Sequence, residues 1–383
     1  MINIHPDFDP DGPAAVGSGI FGLNCDADTA RVFLLPVPFD ATTSYRPGTA
    51  RAPQAILAAS KQVDLFDRQT GRPYEAGIYL ETVSDEMVRL NTAARKHAEI
   101  VIAAGGIDGG SELAAHAGEV NRASEKMNQF VYSQTKEKLA QNKIVGIIGG
   151  DHSVPFGALQ AYVEQYPNLS VLHLDAHFDL RDHYEGFAWS HASIMHNVLH
   201  KTALKKLVQV GIRDFGEQEF NLAQSQPDRV STFFDADLQT AAFSGTPWRE
   251  QIDTIVGELS NEVYLSFDID GLDPVFCPHT GTPVPGGISF NQAVALIEAV
   301  HRHHKRIVGF DLNEVVPSTD PNDEWDANVA ARLLYKMIGF AVLSNRSILA
   351  DPLQKLIGTA GPQNINNTDS LLEKMRGPGF KKK

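Results

Sequence analysis

The chain has 383 residues, 43% of them hydrophobic, which is enough to bury a large core in one large or two ordinary domains and excludes a disordered protein. Its 33 basic and 47 acidic residues leave a formal charge of -14, which argues against nucleic acid and anionic membrane surfaces as partners and favours a small cationic one. No apolar run approaches the ~18 residues of a bilayer span, and Met1 to Pro13 has no basic stretch followed by an apolar one, so a cytoplasmic location is expected.

Residues 1–29 are rich in Asp, Gly and Pro and lack periodicity, which reads as an N-terminal arm lying on the surface or on a neighbouring subunit. A single domain is expected over 30–357. Its first buried strand is Val32 to Phe39, followed by a polar loop from Asp40 to Arg51 and a helix from Ala52. From about Leu90 to Leu139 the pattern is helical, broken at Ala104 to Gly110, where glycines end one helix and Ser111 is placed to cap the next. That glycine cluster lacks the GK[ST] ending and a preceding strand, so it is a turn and not a phosphate loop.

Further apolar strands follow at Lys143–Ile148, Val171–Leu174, Leu207–Val210, Glu262–Phe267 and Ile307–Leu312. Helical patterns follow Pro155, His191 and Phe290 and run from Ala327 to Leu343. This alternation is the βαβ rhythm of a parallel sheet covered on both faces. Residues 358–383 turn polar and end in three lysines, a tail expected to be mobile.

Three strand ends carry the chemistry. Val171 to Leu174 runs into Asp175-Ala176-His177-Phe178-Asp179, and in an extended chain Asp175, His177 and Asp179 would share one face. The strand ending at Phe267 runs into Asp268-Ile269-Asp270, where the same spacing recurs, and His152 follows the strand ending at Ile148. Two histidines and four aspartates suit hard divalent ions. The two cysteines, Cys25 and Cys277, have no disulfide or zinc spacing. Six ligands exceed one ion's need, whereas two ions about 3.5–4 Å apart could share bridging carboxylates, with charges near balance. Beyond the central strand, His191 is a candidate proton shuttle. Glu314, past the strand ending at Leu312, could grip a guanidinium through two parallel hydrogen bonds. The basic histidine cluster His301 to Lys305 ends a helix and is set aside as a decoy.

The stretches GGDHS at 149–153, DAHFD at 175–179 and SFDIDGLDP at 266–274, in that order, closely resemble the ureohydrolase family of arginases and agmatinases. VPFDATTSYRPGTARAPQAI at 37–56, DLRDHYEGFAWSHAS at 179–193, GTPVPGG at 281–287 and GFDLNEVVP at 309–317 extend the resemblance over roughly residues 31 to 350, and the 181–193 loop is most similar to agmatinases. The resemblance implies a three-layer α/β/α arginase-like fold with a parallel sheet of about eight strands, assembled as a homo-oligomer, trimer or hexamer. It also implies two Mn2+ per subunit, with Ni2+ or another divalent ion as an alternative. One ion would be held by His152, Asp175, Asp179 and Asp268, the other by His177, Asp175, Asp268 and Asp270, with His191 as proton shuttle and Glu314 as guanidinium holder.

The implied reaction is hydrolysis of agmatine to urea and putrescine, as in polyamine biosynthesis. Guanidinobutyrate, arginine, guanidine and formiminoglutamate are rival substrates, and a non-catalytic metal-binding regulator is the rival outside enzymes. Arg181 is expected to brace the loop and not to meet substrate. Two departures concern the outer contacts: the 61–142 segment is longer than agmatinases usually need, and His279 stands where the family usually has glycine.

Overall fold

The computed structural model describes residues 8–107 and 110–346; the tail from 358 lies outside them. Strand β1 (Val32–Pro36) is wholly buried, and it ends before the expected Phe39 because Pro36 and Pro38 lack the N–H groups a ladder requires. Helix α1 (Ala52–Ser60) and the short strand β2 (Ile78–Leu80) follow. Two long helices come next, α2 (Asp85–Ala103) and α3 (Ser111–Ala140). Ser84 caps α2 by accepting from Met87 N–H, with Asp85 and Glu86 complementing the helix dipole in its first turn. The cap residue of α3 is Gly110, and Ser111, expected there, is already helical.

The βαβ rhythm then runs through β3 (Ile144–Ile148), α4 (Phe156–Gln165), β4 (Ser170–Leu174), α5 (Ile194–Lys201) and β5 (Lys206–Ile212). It continues through α6 (Glu217–Ser225), β6 (Val230–Phe234), α7 (Asp235–Phe243), α8 (Trp248–Gly257) and β7 (Glu262–Asp268). It closes with α9 (Phe290–Arg302), β8 (Arg306–Asn313) and α10 (Trp325–Ser344). The eight strands form one parallel sheet in the order β2-β1-β3-β8-β7-β4-β5-β6. The four central strands, β3, β8, β7 and β4, are buried almost throughout, as a sheet covered on both faces requires.

Helix α10 is long and apolar enough to cross a membrane by length and composition, although Asp326, Arg332 and Lys336 interrupt its apolar sequence. In the fold most of its apolar side chains are buried, and it packs on α1, α9 and β8 as a core helix. Part of the expected surface arm also belongs to this core. Ile20, Phe21 and Leu23 are buried, Phe21 N–H donates to Ser60 Oγ at 2.9 Å, and its ring lies 4.8 Å from that of Tyr335.

Candidate metal centre

In open parallel sheets the carboxyl ends of the strands face a crevice where ligands collect. Here the crevice lies beyond β3, β8, β7 and β4. After β3 the chain passes through Gly150, where a Cβ would fall 1.7 Å from Phe39 O, so only glycine lets the backbone thread between its neighbours. Asp151 follows, fully buried, accepting from Thr42 Oγ1 at 2.8 Å and from Ser153 N–H at 3.0 Å. His152 then turns its ring into the crevice.

The shared face expected for Asp175, His177 and Asp179 is not a strand face. β4 stops at Leu174, and Asp179 sits at φ +54°, outside extended geometry. A local turn does the work: His177 N–H donates to Asp175 Oδ1 at 2.6 Å, and the carbonyl of Asp179 accepts from Met195 and His196 N–H at 3.1 and 3.0 Å. Asp268 closes β7, and Asp270 lies in a 3-10 turn whose N–H donates to Asp268 Oδ1 at 2.8 Å. Short-range carboxylate-to-backbone bonds, and not pleat alternation, aim these side chains.

All six candidate ligands converge. His152 Nδ1 lies 3.1 Å from Asp175 Oδ2, 3.2 Å from Asp179 Oδ2 and 3.4 Å from Asp268 Oδ2. His177 Nδ1 lies 3.4 Å from Asp175 Oδ1 and 3.2 Å from Asp270 Oδ2. Asp175 thus offers one oxygen to each histidine's group, so it could serve two cations at once. The opposite ring nitrogen of His152 lies 3.0 Å from Ser266 Oγ, which donates to Asp311 Oδ1 at 3.0 Å. Ser266 therefore accepts from Nε2–H, and Nδ1 is the nitrogen that faces the carboxylates.

The electrostatics show what the cluster lacks. Burial is the largest influence on His152 and would depress its pKa, yet Asp175, Asp179 and Asp268 together raise it well above its usual value. Burial followed by the charge of Asp175 pushes Asp179 up to about 7, and burial followed by Asp270 and Asp175 raises Asp268 well above the carboxylate range. Carboxylates raised in this way, by burial first and by their neighbours' charge second, are short of positive charge. Oxygen and imidazole donors in this deficit fit divalent cations.

Two further residues complete the crevice. Glu314 is buried at φ +61°, with Oε1 accepting from His152 N–H at 2.8 Å, and burial followed by the nearby Asp151 raises its pKa well above the usual value. His191 donates its backbone N–H to Thr42 Oγ1 at 3.1 Å, and burial followed by the charge of His177 lowers its ring to about 4. His152, His177, Asp179, His191, Asp268 and Glu314 all line a cavity of about 260 Å³. A larger cavity of about 580 Å³, bounded by residues 8–25 and 61–77, contains none of the cluster.

Sequence reasoning passed over three supports. His173, on the same face of β4 as Asp175 would continue, is buried with Nε2 2.8 Å from Asp175 Oδ2, while its Nδ1 accepts from Gln209 Nε2 at 3.0 Å. Its two-residue spacing from Asp175 was the available signal. Asp151 and Thr42 form a chain of bonds that ends on His191.

Arg181 pairs with Glu219 at 3.4 Å and lies 5.0 Å from the Tyr184 ring centroid, so its charge is engaged in bracing the loop. His279 Nδ1 lies 2.8 Å from Asp326 Oδ2, tying the 277–282 loop to α10, and the next residue's Thr280 Oγ1 donates to Glu314 O at 2.7 Å. The decoy is far from this chemistry: His303 and Arg302 pair with Asp253 at 2.8 and 3.1 Å.

Comparison with known proteins agrees with this geometry. A family model described as the arginase family matches residues 30–339. An N(1)-aminopropylagmatine ureohydrolase of Thermus thermophilus is 35% identical over 314 residues, 82% of this chain and 90% of that protein. An agmatinase of Halalkalibacterium halodurans is 29% identical over 298 residues, 78% of this chain and 88% of that protein. The crystal structure of an agmatine ureohydrolase of Thermoplasma volcanium superposes with a TM-score of 0.63 at 25% identity, covering 85% of this chain and 96% of that one.

Proposed function

The chain belongs to the arginase family and is an agmatinase-like hydrolase of guanidino compounds, and on that premise we propose that it cleaves the guanidinium C–N bond of agmatine, releasing urea and putrescine. The observation that carries the reading is Glu314. A buried carboxyl with a raised pKa, on the wall of a cavity shared with the His/Asp cluster, would regain its charge against a bound cation, and a guanidinium offers two parallel N–H donors to it.

The donor set suits two divalent ions, Mn2+ first and Ni2+ as the alternative, with His152, Asp175, Asp179 and Asp268 around one and His177, Asp175, Asp268 and Asp270 around the other. Bound there, the ions supply a water of lowered pKa at neutral pH. Glu314 holds the guanidinium with its carbon facing the cluster. His191, kept neutral by burial, accepts a proton and returns it to the departing amine. The balance is guanidinium plus water to urea plus an alkylammonium ion. His173 and Ser266 orient Asp175 and His152 through the bonds described above.

The cavity mouth carries Asp214, Tyr184 and Phe215, a carboxylate and two rings, which suit an ammonium tail by charge and cation–π attraction. Arg181, engaged by Glu219, offers a carboxylate-bearing substrate little. A second reading, N(1)-aminopropylagmatine, has the 35% identical relative in its favour and would place a longer, doubly cationic tail at the same mouth.

Urea release with Mn2+ or Ni2+ across agmatine, aminopropylagmatine, guanidinobutyrate, arginine and guanidine decides among these. Agmatine should exceed arginine in kcat/KM by at least about tenfold, equivalent to roughly 1.4 kcal/mol. Equal turnover of arginine or guanidinobutyrate overturns the choice of a cationic tail.

A further inference from the structure

Between β2 and β3 the chain places 19 residues in α2 and 30 in α3, and no described residue of either helix joins the His/Asp cluster. The pair packs together as a hairpin, with α3 also lying along α4. What the hairpin touches are two segments whose neighbours line the cavity, at Ser44 and at Tyr184.

On one side, Asn91 of α2 makes a two-way amide contact with Asp40: its Nδ2 donates to Asp40 Oδ1, and its Oδ1 accepts from Asp40 N–H, both at 2.9 Å. One turn on, Arg95 Nη1 donates to Thr43 O at 2.5 Å, next to the Thr42 that holds His191. On the other side, Asn121 of α3 repeats the device. Its Nδ2 donates to Gly186 O at 3.2 Å and its Oδ1 accepts from Ala188 N–H at 2.9 Å.

Phe187, between those two contacts, is fully buried in a small apolar cluster with Ala98 and Val101 of α2 and Ala117 and Val120 of α3. This cluster is separate from the large core. The held segment is a tight hairpin turn. Tyr184 and Phe187 exchange backbone hydrogen bonds at 3.2 and 2.8 Å, and Glu185 and Gly186 between them both have positive φ, +54° and +92°. Such a turn suits glycine but strains Glu185, so it needs outside support. The support places Tyr184 at the cavity mouth, 6.3 Å from the His191 ring centroid and under the guanidinium of Arg181.

We propose that Asn121 and Phe187 are positioning residues: through them the α2–α3 hairpin holds the 184–188 turn over the cavity and so fixes the mouth at which the substrate tail is recognised. The kinetic part rests on the guanidino-hydrolase reading; the structural part does not. Asn121 is half-buried, so its replacement leaves the fold intact, whereas Phe187→Leu is the milder probe of the buried plug.

The test uses the full-length, metal-loaded protein. In Asn121→Ala the Ala188 amide should exchange with deuterium at least about fivefold faster, the loss of one hydrogen bond's worth of protection. KM for agmatine should rise about five- to tenfold with kcat within about twofold, while metal content and melting temperature stay at parental values. Asn121→Asp, which keeps the acceptor for Ala188 N–H and loses the donor to Gly186 O, should fall between parent and Ala. Phe187→Leu should shift KM in the same direction.

Unchanged Ala188 exchange overturns the clamp. So does an unchanged KM, or a loss of activity that tracks falling metal content or melting temperature. If the parent released no urea from any guanidino compound, the functional reading would fail and the exchange result would still decide the clamp.

Discussion

Replacing Glu314 by glutamine removes one charge while keeping the shape of the side chain. The glutamine carbonyl can still accept from His152 N–H, the 2.8 Å bond that links Glu314 to the metal-facing histidine, so the cluster keeps its geometry. What disappears is the charge assistance to a bound guanidinium. A hydrogen bond to a charged group contributes about 1.5–3 kcal/mol, and a bidentate pair partly desolvated in the cavity should lose roughly 2–3 kcal/mol on neutralisation. That corresponds to a fall in kcat/KM of roughly 30- to 150-fold. Most of it should appear in KM, because the guanidinium is held before and during reaction.

Stability should move the other way. Burial raises the Glu314 pKa, so the folded state prefers the proton and carries the cost of the charge at pH 8; glutamine relieves that cost, and the melting temperature should hold or rise. Urea release at varied agmatine, with metal content measured on the same samples, is the assay. A fall of less than about threefold in kcat/KM, or one that follows metal loss, would refute the role of Glu314 as the guanidinium holder.

Three other outcomes follow from the same geometry. Asp270→Asn or His177→Asn should lower bound metal and nearly abolish turnover, since each removes a donor from the group facing Asp175 Oδ1; elemental analysis showing two ions and full activity in either variant would sink the dinuclear assignment. His191→Ala should lower kcat with KM little changed and metal retained, and an unchanged kcat would remove His191 from proton transfer. The metal-stripped protein should lose stability as pH rises from about 6.5 to 8, above the range in which the lowered His191 and His173 act the other way: Asp179, Asp268, His152 and His177 all have folded-state pKa values raised above their unfolded ones, so the folded form binds more protons in that window and releases them through it. Added Mn2+ should therefore raise the melting temperature more at pH 8 than at pH 6; an equal or smaller rise would contradict the charge-deficit account.

The central strands were legible because burial on both faces writes itself as runs dominated by Val, Ile and Leu, as in Ile144–Ile148 of β3, even where Gly146, His173 or Asp311 interrupts them. The edge strands were not. β2 has three residues, and β6 is half-buried along Ser231 to Phe234, so neither leaves a long apolar run. The candidate ligand residues converge as the sequence leads one to expect, but by a different route, since a pleat and an aspartate-capped turn produce the same two-residue spacing. The supports, Asp151 to Thr42 and Asn121 to the mouth turn, join residues 109 and 67 apart, and no local spacing encodes such a bond.

The strand order has a consequence for how the protein is made. β8, the last strand in the chain, does not add to an edge; it enters the middle of the sheet between β3 and β7, and its own end delivers Glu314. A chain emerging from the ribosome can pair β2, β1 and β3 on one side and β7, β4, β5 and β6 on the other, but the open flanks of β3 and β7 stay unpaired until β8 arrives. Asp175, Asp179, Asp268 and Asp270 lie on the second half, and His152 on the first. The set proposed for one ion, His152, Asp175, Asp179 and Asp268, therefore spans both half-sheets and is complete only once the keystone strand has joined them, so occupancy of that site would report completed folding, whereas the set proposed for the other ion lies wholly on the second half.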